Sequence, residues 1–288
     1  MERVRTRPNE MKVAFQGELG AFSQQAVRQL AGARAKPEPR QRFDQVFAAL
    51  LAGDVDAAAL PIENTLAGSV HENYDLLLKY DFEITAETSV RIVHHLIAPP
   101  GAKFASVRKV YSHPVALNQC QDFFARHKRI ERVPYYDTAG SVKMVIEERP
   151  EGAAAIASEI AAGIYGGEIL KREIEDDRQN FTRFFLLEPA GSKARNGSAL
   201  RGRPWKTSLV FATHNRPGSL YRALSALALR DLNLTKIESR PRRGKPWEYM
   251  FYVDLLAHRD EPRVKNALGH LSELTDFLRV LGSYRAAR

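Results

Sequence analysis

Short apolar runs alternate with amphipathic stretches along the first two thirds of the chain. Lys12-Val13-Ala14-Phe15 has a strand pattern that ends in the glycine-bearing loop of residues 16–20, and a helical pattern starts near Phe22. Asp44 is placed to cap a helix running to Leu51, residues 56–60 read as a buried strand stopped by Pro61, and residues 70–78 as a helix. Ile84, Ala86, Thr88, Val90, Ile92, His94 and Leu96 then alternate with mainly polar neighbours, which predicts one long strand over residues 82–96, of the kind that passes between subdomains. A second set follows: a strand at 107–111, a helix at 115–126, a strand at 132–136, a helix at 138–148 capped by Asp137, a strand at 153–157 and a helix capped by Ser158. Residues 180–188 close it as a strand. Strands and helices in this order predict an α/β sandwich with a mostly parallel sheet.

Residues 190–205, rich in Gly, Ser, Ala, Arg and Lys, read as a linker. Beyond them come a strand (207–213), a helix (219–229), strands at 233–239 and 248–256, a helix (261–271) and a last strand (277–284), a ferredoxin-like βαββαβ order.

At 288 residues the chain is long enough for two or three domains. No apolar run is long enough to cross a bilayer, and residues 1–10 lack the apolar stretch of a secretory signal, so they read as a short tail and a cytoplasmic location is expected. The single cysteine, Cys120, allows no intrachain disulfide. The formal charge of +9 is concentrated at Arg201, Arg203 and Lys206 and at Arg240, Arg242, Arg243 and Lys245, beside Gly and Pro, where solvated loops are expected. No helix-turn-helix, zinc knuckle or aromatic–basic interleaving accompanies them, so neither nucleic acid nor membrane is an expected partner.

Candidate chemistry gathers where strands meet helices. Asn64 and Ser69 follow the strand ending at Leu60, Ser112-His113-Pro114 follows the next, and Asp137-Thr138-Ala139-Gly140-Ser141 a third. In open α/β sheets ligands bind outside the carboxyl ends of strands, where helix N–H groups favour an anion. Each loop taken singly is equally well an ordinary capped loop, with Ser112 as a cap; the three together describe an anion-binding cleft between two lobes. Gln119, on the helix after Ser112, reaches that cleft or faces solvent. In Asn180-Phe181-Thr182-Arg183-Phe184, strand alternation puts Thr182 and Phe184 on one face and Phe181 and Arg183 on the other.

That segment resembles the Thr-Arg-Phe motif of the prephenate dehydratases. The chain is also similar to that family at Phe15-Gln16-Gly17, Gly20-Ala21-Phe22-Ser23, Pro61-Ile62-Glu63-Asn64, Gly68-Ser69-Val70, Ser112-His113-Pro114 and Gln119-Cys120; it departs at Val115, where Gln is frequent. The resemblance implies a two-lobed α/β catalytic region like the type 2 periplasmic binding proteins, covering residues 11–189, with one lobe at 11–88 plus 178–189 and the other at 89–177. It implies a hydro-lyase that converts prephenate to phenylpyruvate with loss of CO2 and water in L-phenylalanine biosynthesis. Aromatisation drives that reaction, so no metal or other cofactor is expected. Thr182, Arg183, Asn64, Ser112 and Gln119 are the implied catalytic residues, with Ser69, Thr138, Ser141, Asn180, Phe181 and Phe184 around the substrate; the two rings would keep the site dry. If Thr182 faces the cleft, a regular strand turns Arg183 away, so either the strand is irregular there or Arg183 holds structure. Residues 206–285 resemble an ACT domain at Arg216-Pro217-Gly218-Ser219-Leu220-Tyr221 and at Leu234-Thr235-Lys236-Ile237-Glu238-Ser239-Arg240-Pro241. This implies allosteric regulation by L-phenylalanine through Pro217, Gly218, Ser219, Leu220, Glu238, Ser239 and Arg240, and a homodimer or homotetramer. Two alternatives remain open: an arogenate dehydratase, and a non-enzymatic amino-acid-binding protein. The missing signal and the ten or so residues before the first strand, too few for a DNA-binding domain, weigh against the second.

Overall fold

A computed structural model describes residues 10–195, 202–242 and 244–287; nearly all of the expected N-terminal tail, part of the linker, and Arg201 and Arg243 of the basic clusters lie outside them. Two compact units emerge, and they do not follow chain order. One comprises residues 1–80 and 88–185, the other residues 81–87 and 186–288. Among the described residues no helix is long and apolar enough to cross a membrane.

Two sheets build the first unit. In one, β1 (Lys12–Gln16) pairs in parallel with β2 (Lys36–Arg40) and β3 (Ala57–Asn64), and the order is β2-β1-β3-β11-β5, with β11 at Phe181–Pro189 and β5 at Phe82–Arg91, of which residues 181–185 and 88–91 belong to this unit. The two-residue β4 (Gly68–Ser69) turns back onto the end of β3. Val13, Ala14 and Phe15 are fully buried, as a central parallel strand covered on both faces requires. Helices α1 (Phe22–Ala31), α2 (Phe43–Ala52) and α3 (His71–Lys79) accompany this sheet. The sequence pattern missed β2, Lys-Pro-Glu-Pro-Arg, because two prolines argue against a strand; they are tolerated because β2 is an edge.

The other sheet has the order β10-β6-β9-β7-β8, made of Glu168–Lys171, His95–Ala98, Ala153–Ala157, Lys109–Ser112 and Glu131–Pro134. Leu96, Val110, Leu117, Cys120, Phe124 and Ile156 form its core. Burial pushes the Cys120 thiol far up, which removes it as a nucleophile. Helices α6 (Thr138–Glu148) and α7 (Glu159–Tyr165) are capped as expected, Asp137 accepting from the Gly140 N–H (2.7 Å) and Ser158 from the Ala161 N–H (3.2 Å). The first unit is thus an α/β structure built on two sheets flanked by helices.

Four local expectations need correction. The single strand expected over 82–96 is two strands in different sheets, β5 and β6, with a break at 92–94. The freed backbone groups find distant partners: the Ile92 N–H donates to the Asn180 carbonyl (2.8 Å) and the His94 N–H to the Glu175 carboxylate (2.9 Å). The helix expected over 115–126 is interrupted at Gln119-Cys120 into α4 (Pro114–Asn118) and α5 (Gln121–Arg126). Asp176 restarts it by accepting from the N–H groups of Gln121 (2.7 Å) and Asp122 (3.0 Å). Ser112 does not cap α4; His113 does, its Nδ1 accepting from the Val115 N–H. Asp44 sits in the first turn of α2 rather than at its cap: the cap position is Arg42, whose backbone N–H donates to Gln45 Oε1 (3.2 Å).

In the second unit β12 (Trp205–Ala212), α8 (Ser219–Ala228), β13 (Leu234–Pro241), β14 (Tyr249–Leu255), α9 (Pro262–Glu273) and β15 (Phe277–Arg285) give the βαββαβ order. The antiparallel sheet runs β13-β14-β12-β15, over a core that includes Leu209, Phe211, Leu227, Val253 and Leu271. Residues 81–87 belong here by close packing. Gly282 lies so near the Ile84 carbonyl that a Cβ would collide with it, and Lys206 Nζ meets the buried Glu87 carboxylate at 2.6 Å.

Candidate active site

A cleft of about 550 Å³ opens in the first unit at the ends of β1, β3 and β11. Thr182, second residue of β11, lines it and is 9% exposed. Its hydroxyl oxygen accepts from Asn64 Nδ2 at 3.0 Å. The same amide nitrogen is 2.7 Å from Asn180 Oδ1 and 3.1 Å from the Phe181 carbonyl. Asn64 Oδ1 in turn accepts from the N–H groups of Leu66 (3.0 Å) and Ala67 (2.8 Å), so the loop after β3 holds Asn64 rigidly. Gln119, brought in by the interruption after α4, places Nε2 3.4 Å from Asn64 Oδ1 and Oε1 2.9 Å from His94 Nε2. Three loops far apart in sequence therefore converge behind one hydroxyl.

Ser69 and Thr138 also line the cleft. The first turns of α2, α3 and α6 reach it at Phe43, Glu72 and Thr138, aiming partial positive charge at the space. Arg42 is the only Lys or Arg among the described residues that line it. His113 lines the cleft too, and burial lowers its pKa, which favours the neutral ring. Sequence reasoning did not single out Gln16, Arg42, Phe43 or His94. For His94 a signal was present: a histidine interrupting an otherwise apolar alternation.

Other expected residues lie elsewhere. Ser112 is fully buried and donates to the Ile156 carbonyl (2.6 Å), and Ser141 donates to the Asp137 carbonyl (2.7 Å); both tie β7 and α6 into place behind the cleft wall. Asn180 is buried beneath Asn64. Arg183 is not among the described residues that line the cleft, as expected if strand alternation turns it away from Thr182. Its Nε is 2.9 Å from Glu63 Oε1 and its guanidinium lies 5.0 Å from the Phe185 ring centre. The expectation that Phe181 and Phe184 dry the site is corrected: Phe184 packs with Ala26, Val90 and Ile92 in the core and Phe181 is exposed on the other face. Phe22 and Phe43 are the rings on the cleft wall.

The second unit has its own cavity of about 240 Å³, lined by Gly218, Ser219 and Leu220 and by Trp247, Tyr249 and Phe251. Gly218 caps α8 with φ of 77°, a left-handed conformation suited to glycine. Pro217 is not on its wall, and Glu238, Ser239 and Arg240 lie on β13, an edge of the sheet.

The family model of prephenate dehydratase matches residues 13–192, and that of the ACT domain residues 207–271. Arogenate dehydratase/prephenate dehydratase 2, chloroplastic, of Arabidopsis thaliana is 42% identical over 285 residues, covering 96% of this chain and 73% of its own. Arogenate dehydratase 2 of Petunia hybrida is 40% identical, covering 99% and 74%. Among solved structures, prephenate dehydratase from Arthrobacter aurescens in complex with L-Phe is 30% identical with a TM-score of 0.85, covering 96% of this chain and 90% of that one. GqqA, described as a quorum quenching acylase, is 35% identical with a TM-score of 0.86, covering 96% and 98%. On this evidence the chain belongs to the prephenate dehydratase family and carries an ACT domain.

Proposed function

We propose that the protein is a prephenate dehydratase whose cleft converts prephenate, with uptake of one proton, to phenylpyruvate, CO2 and water. The observation that carries the reading is the Thr182 hydroxyl, on the cleft wall, with its oxygen already accepting from Asn64. As the carboxylate on the ring carbon leaves as CO2, the electron pair of the breaking C–C bond moves through the ring and expels the hydroxyl opposite. That hydroxyl departs with developing negative charge and needs a hydrogen-bond donor, which Thr182 supplies; the departing hydroxide takes the one proton from solvent to become water. A threonine hydroxyl is too weak an acid to transfer its proton outright near neutrality, so it acts by electrostatic stabilisation. Arg42, Ser69, Thr138, Gln119 and the helix N-termini hold the dianion.

A second reading has a specific observation behind it. Arogenate carries an ammonium where prephenate has a keto group, and Glu72 on the cleft wall offers a carboxylate to it. The named relatives of Arabidopsis and Petunia include arogenate dehydratases. The cavity at Gly218 and Ser219 is proposed to take L-phenylalanine as effector, with the edge strand β13 pairing to a second copy of the chain. Purified protein is assayed on prephenate and arogenate side by side, with and without phenylalanine, while the emission of Trp247, on the wall of the second cavity, is followed. Turnover of prephenate at the higher kcat/KM and a phenylalanine-dependent change in emission are expected. Turnover of neither substrate defeats the catalytic reading, and an unresponsive Trp247 defeats the effector site.

A further inference from the structure

The hydrogen bonds behind Thr182 fix proton positions as well as distances. We infer that His94 is a positioning residue for the dehydration proposed above: a neutral imidazole carrying its proton on Nε2, which through Gln119 and Asn64 keeps an amide N–H on Thr182 Oγ1 and leaves the threonine's own proton for the departing hydroxyl.

The polarity of the chain is set by the backbone. Amide groups look alike in outline when rotated by 180°, so their orientation has to follow from their partners. Asn64 Oδ1 faces the N–H groups of Leu66 and Ala67, which can only donate. On its other side Asn64 Nδ2 faces the Phe181 carbonyl, which can only accept. Asn64 therefore has one possible orientation, and its N–H is directed at Thr182 Oγ1 (3.0 Å). Gln119 must then present its NH2 group to Asn64 Oδ1, at 3.4 Å the longest link in the chain. That turns Gln119 Oε1, an acceptor, toward His94 Nε2 at 2.9 Å, so the ring must donate from Nε2.

The far side of the ring agrees. His94 Nδ1 is buried without a hydrogen-bond partner among the described residues, and the residue is 1% exposed. A proton on Nδ1 would be a buried, unsatisfied donor, and an imidazolium would add an unsolvated charge. Burial lowers the His94 pKa accordingly. The groups that oppose this are few. The Gln119 hydrogen bond and the Glu175 charge favour the protonated ring, but Glu175 Oε2 accepts from the His94 backbone N–H and its Oε1 is 3.3 Å from Arg91; His95, next in sequence, acts with burial, and the Phe22 ring meets the imidazole edge-on at 5.7 Å. The break between β5 and β6, held by Glu175, is what carries His94 into this place. With the acceptor side of Thr182 Oγ1 occupied by Asn64, the threonine hydrogen is free to turn into the cleft that Thr182 lines.

Two measurements on the full chain test this. In histidine-15N-labelled protein, His94, assigned by comparison with His94→Gln, is expected to show the neutral Nε2–H tautomer near neutral pH. In kinetics, His94→Leu is expected to lower kcat by about ten-fold or more with KM changed by less than about three-fold, and His94→Gln, which can donate from a similar position, to recover most of the loss. Added to Gln119→Ala, His94→Leu is expected to cost less than about two-fold further, because the two act in series. An Nδ1–H tautomer or an imidazolium overturns the assignment, as does a folded His94→Leu variant with wild-type kcat or a loss that multiplies with that of Gln119→Ala. Should His94→Leu fail to fold, the tautomer and the His94→Gln rescue decide. The tautomer is read in the resting protein, so it stands or falls apart from the reaction; absence of turnover on both dehydratase substrates would instead defeat the reaction itself.

Discussion

Replacing Thr182 by valine keeps the shape of the side chain and removes the one group on which the proposed reaction depends. In the resting protein the change deletes a single hydrogen bond, from Asn64 Nδ2 to Thr182 Oγ1 at 3.0 Å. The amide keeps two other acceptors, Asn180 Oδ1 at 2.7 Å and the Phe181 carbonyl at 3.1 Å, so no donor is orphaned. The stability cost is then that of one ordinary hydrogen bond, about 1 kcal/mol, or a fall of about 2–4 °C in Tm for a chain of this size. In the transition state the hydroxyl donates to a leaving group on which charge is developing. Removing one such donor costs about 2.7–4 kcal/mol, a factor of about 10² to 10³ in kcat. The catalytic effect should therefore exceed the structural one by a wide margin. Thr182→Ser keeps the donor but loses the β-branch that restricts its rotamer, and an intermediate loss is expected. The assay is phenylpyruvate formation under single-turnover conditions, with thermal unfolding in parallel. A folded Thr182→Val variant that keeps more than about a tenth of wild-type kcat would refute the role given to the hydroxyl.

Arg183→Leu should behave oppositely: with its guanidinium held between Glu63 and Phe185, off the cleft, the change should leave kcat within about three-fold and lower stability by about 1–2 kcal/mol, and a catalytic loss as deep as that of Thr182→Val would contradict this. Acid should destabilise the protein. Burial lowers the pKa values of His94, His95 and His113, so the unfolded chain binds more protons than the native one once pH falls below the ordinary histidine value of about 6.5. Their stabilising contribution is present above that pH and is lost progressively as pH falls toward their native values. Asp137, whose pKa burial raises, works the other way, above the ordinary aspartate range. Urea midpoints should fall between about pH 7 and pH 5.5, less steeply in His94→Gln; a midpoint that rises on acidification would show the signs to be wrong.

Local chemistry was legible in the sequence and long-range rescue was not. Asp137 and Ser158 announced their helices because a cap acts on residues two or three along the chain. The period-two alternation at 181–184 correctly separated Thr182 from Arg183. The βαββαβ order of the second unit was equally plain, since each of its elements is bounded by turn residues. By contrast, the breaks at 92–94 and 119–120 are stabilised by Glu175 and Asp176, far along the chain, and no window around the breaks contains that information. Both breaks bring a polar side chain, His94 and Gln119, to the cleft, so what the sequence hid best lies closest to Thr182. The strand β2 was hidden for another reason: its prolines disfavour a strand, and only its place at a sheet edge excuses them.

The interleaved make-up of the second unit bears on how the protein can be taken apart. A linker before residue 206 invites the idea of a detachable sensor, to be removed by one cut. Yet residues 81–87 are encoded far ahead of residue 186 and pack with the ACT-bearing unit, Ile84 against Gly282 and Glu87 against Lys206 and the Ala287 N–H. A chain shortened at the linker would keep a carboxylate selected for burial but lose its lysine, and would lay bare a strand that normally has company. Truncation therefore confounds loss of the proposed effector site with lost integrity, and a gene fusion that imported only the C-terminal segment would acquire an incomplete fold. Point changes at Ser219 leave that shared scaffold whole, which makes them the cleaner test of the proposed effector site.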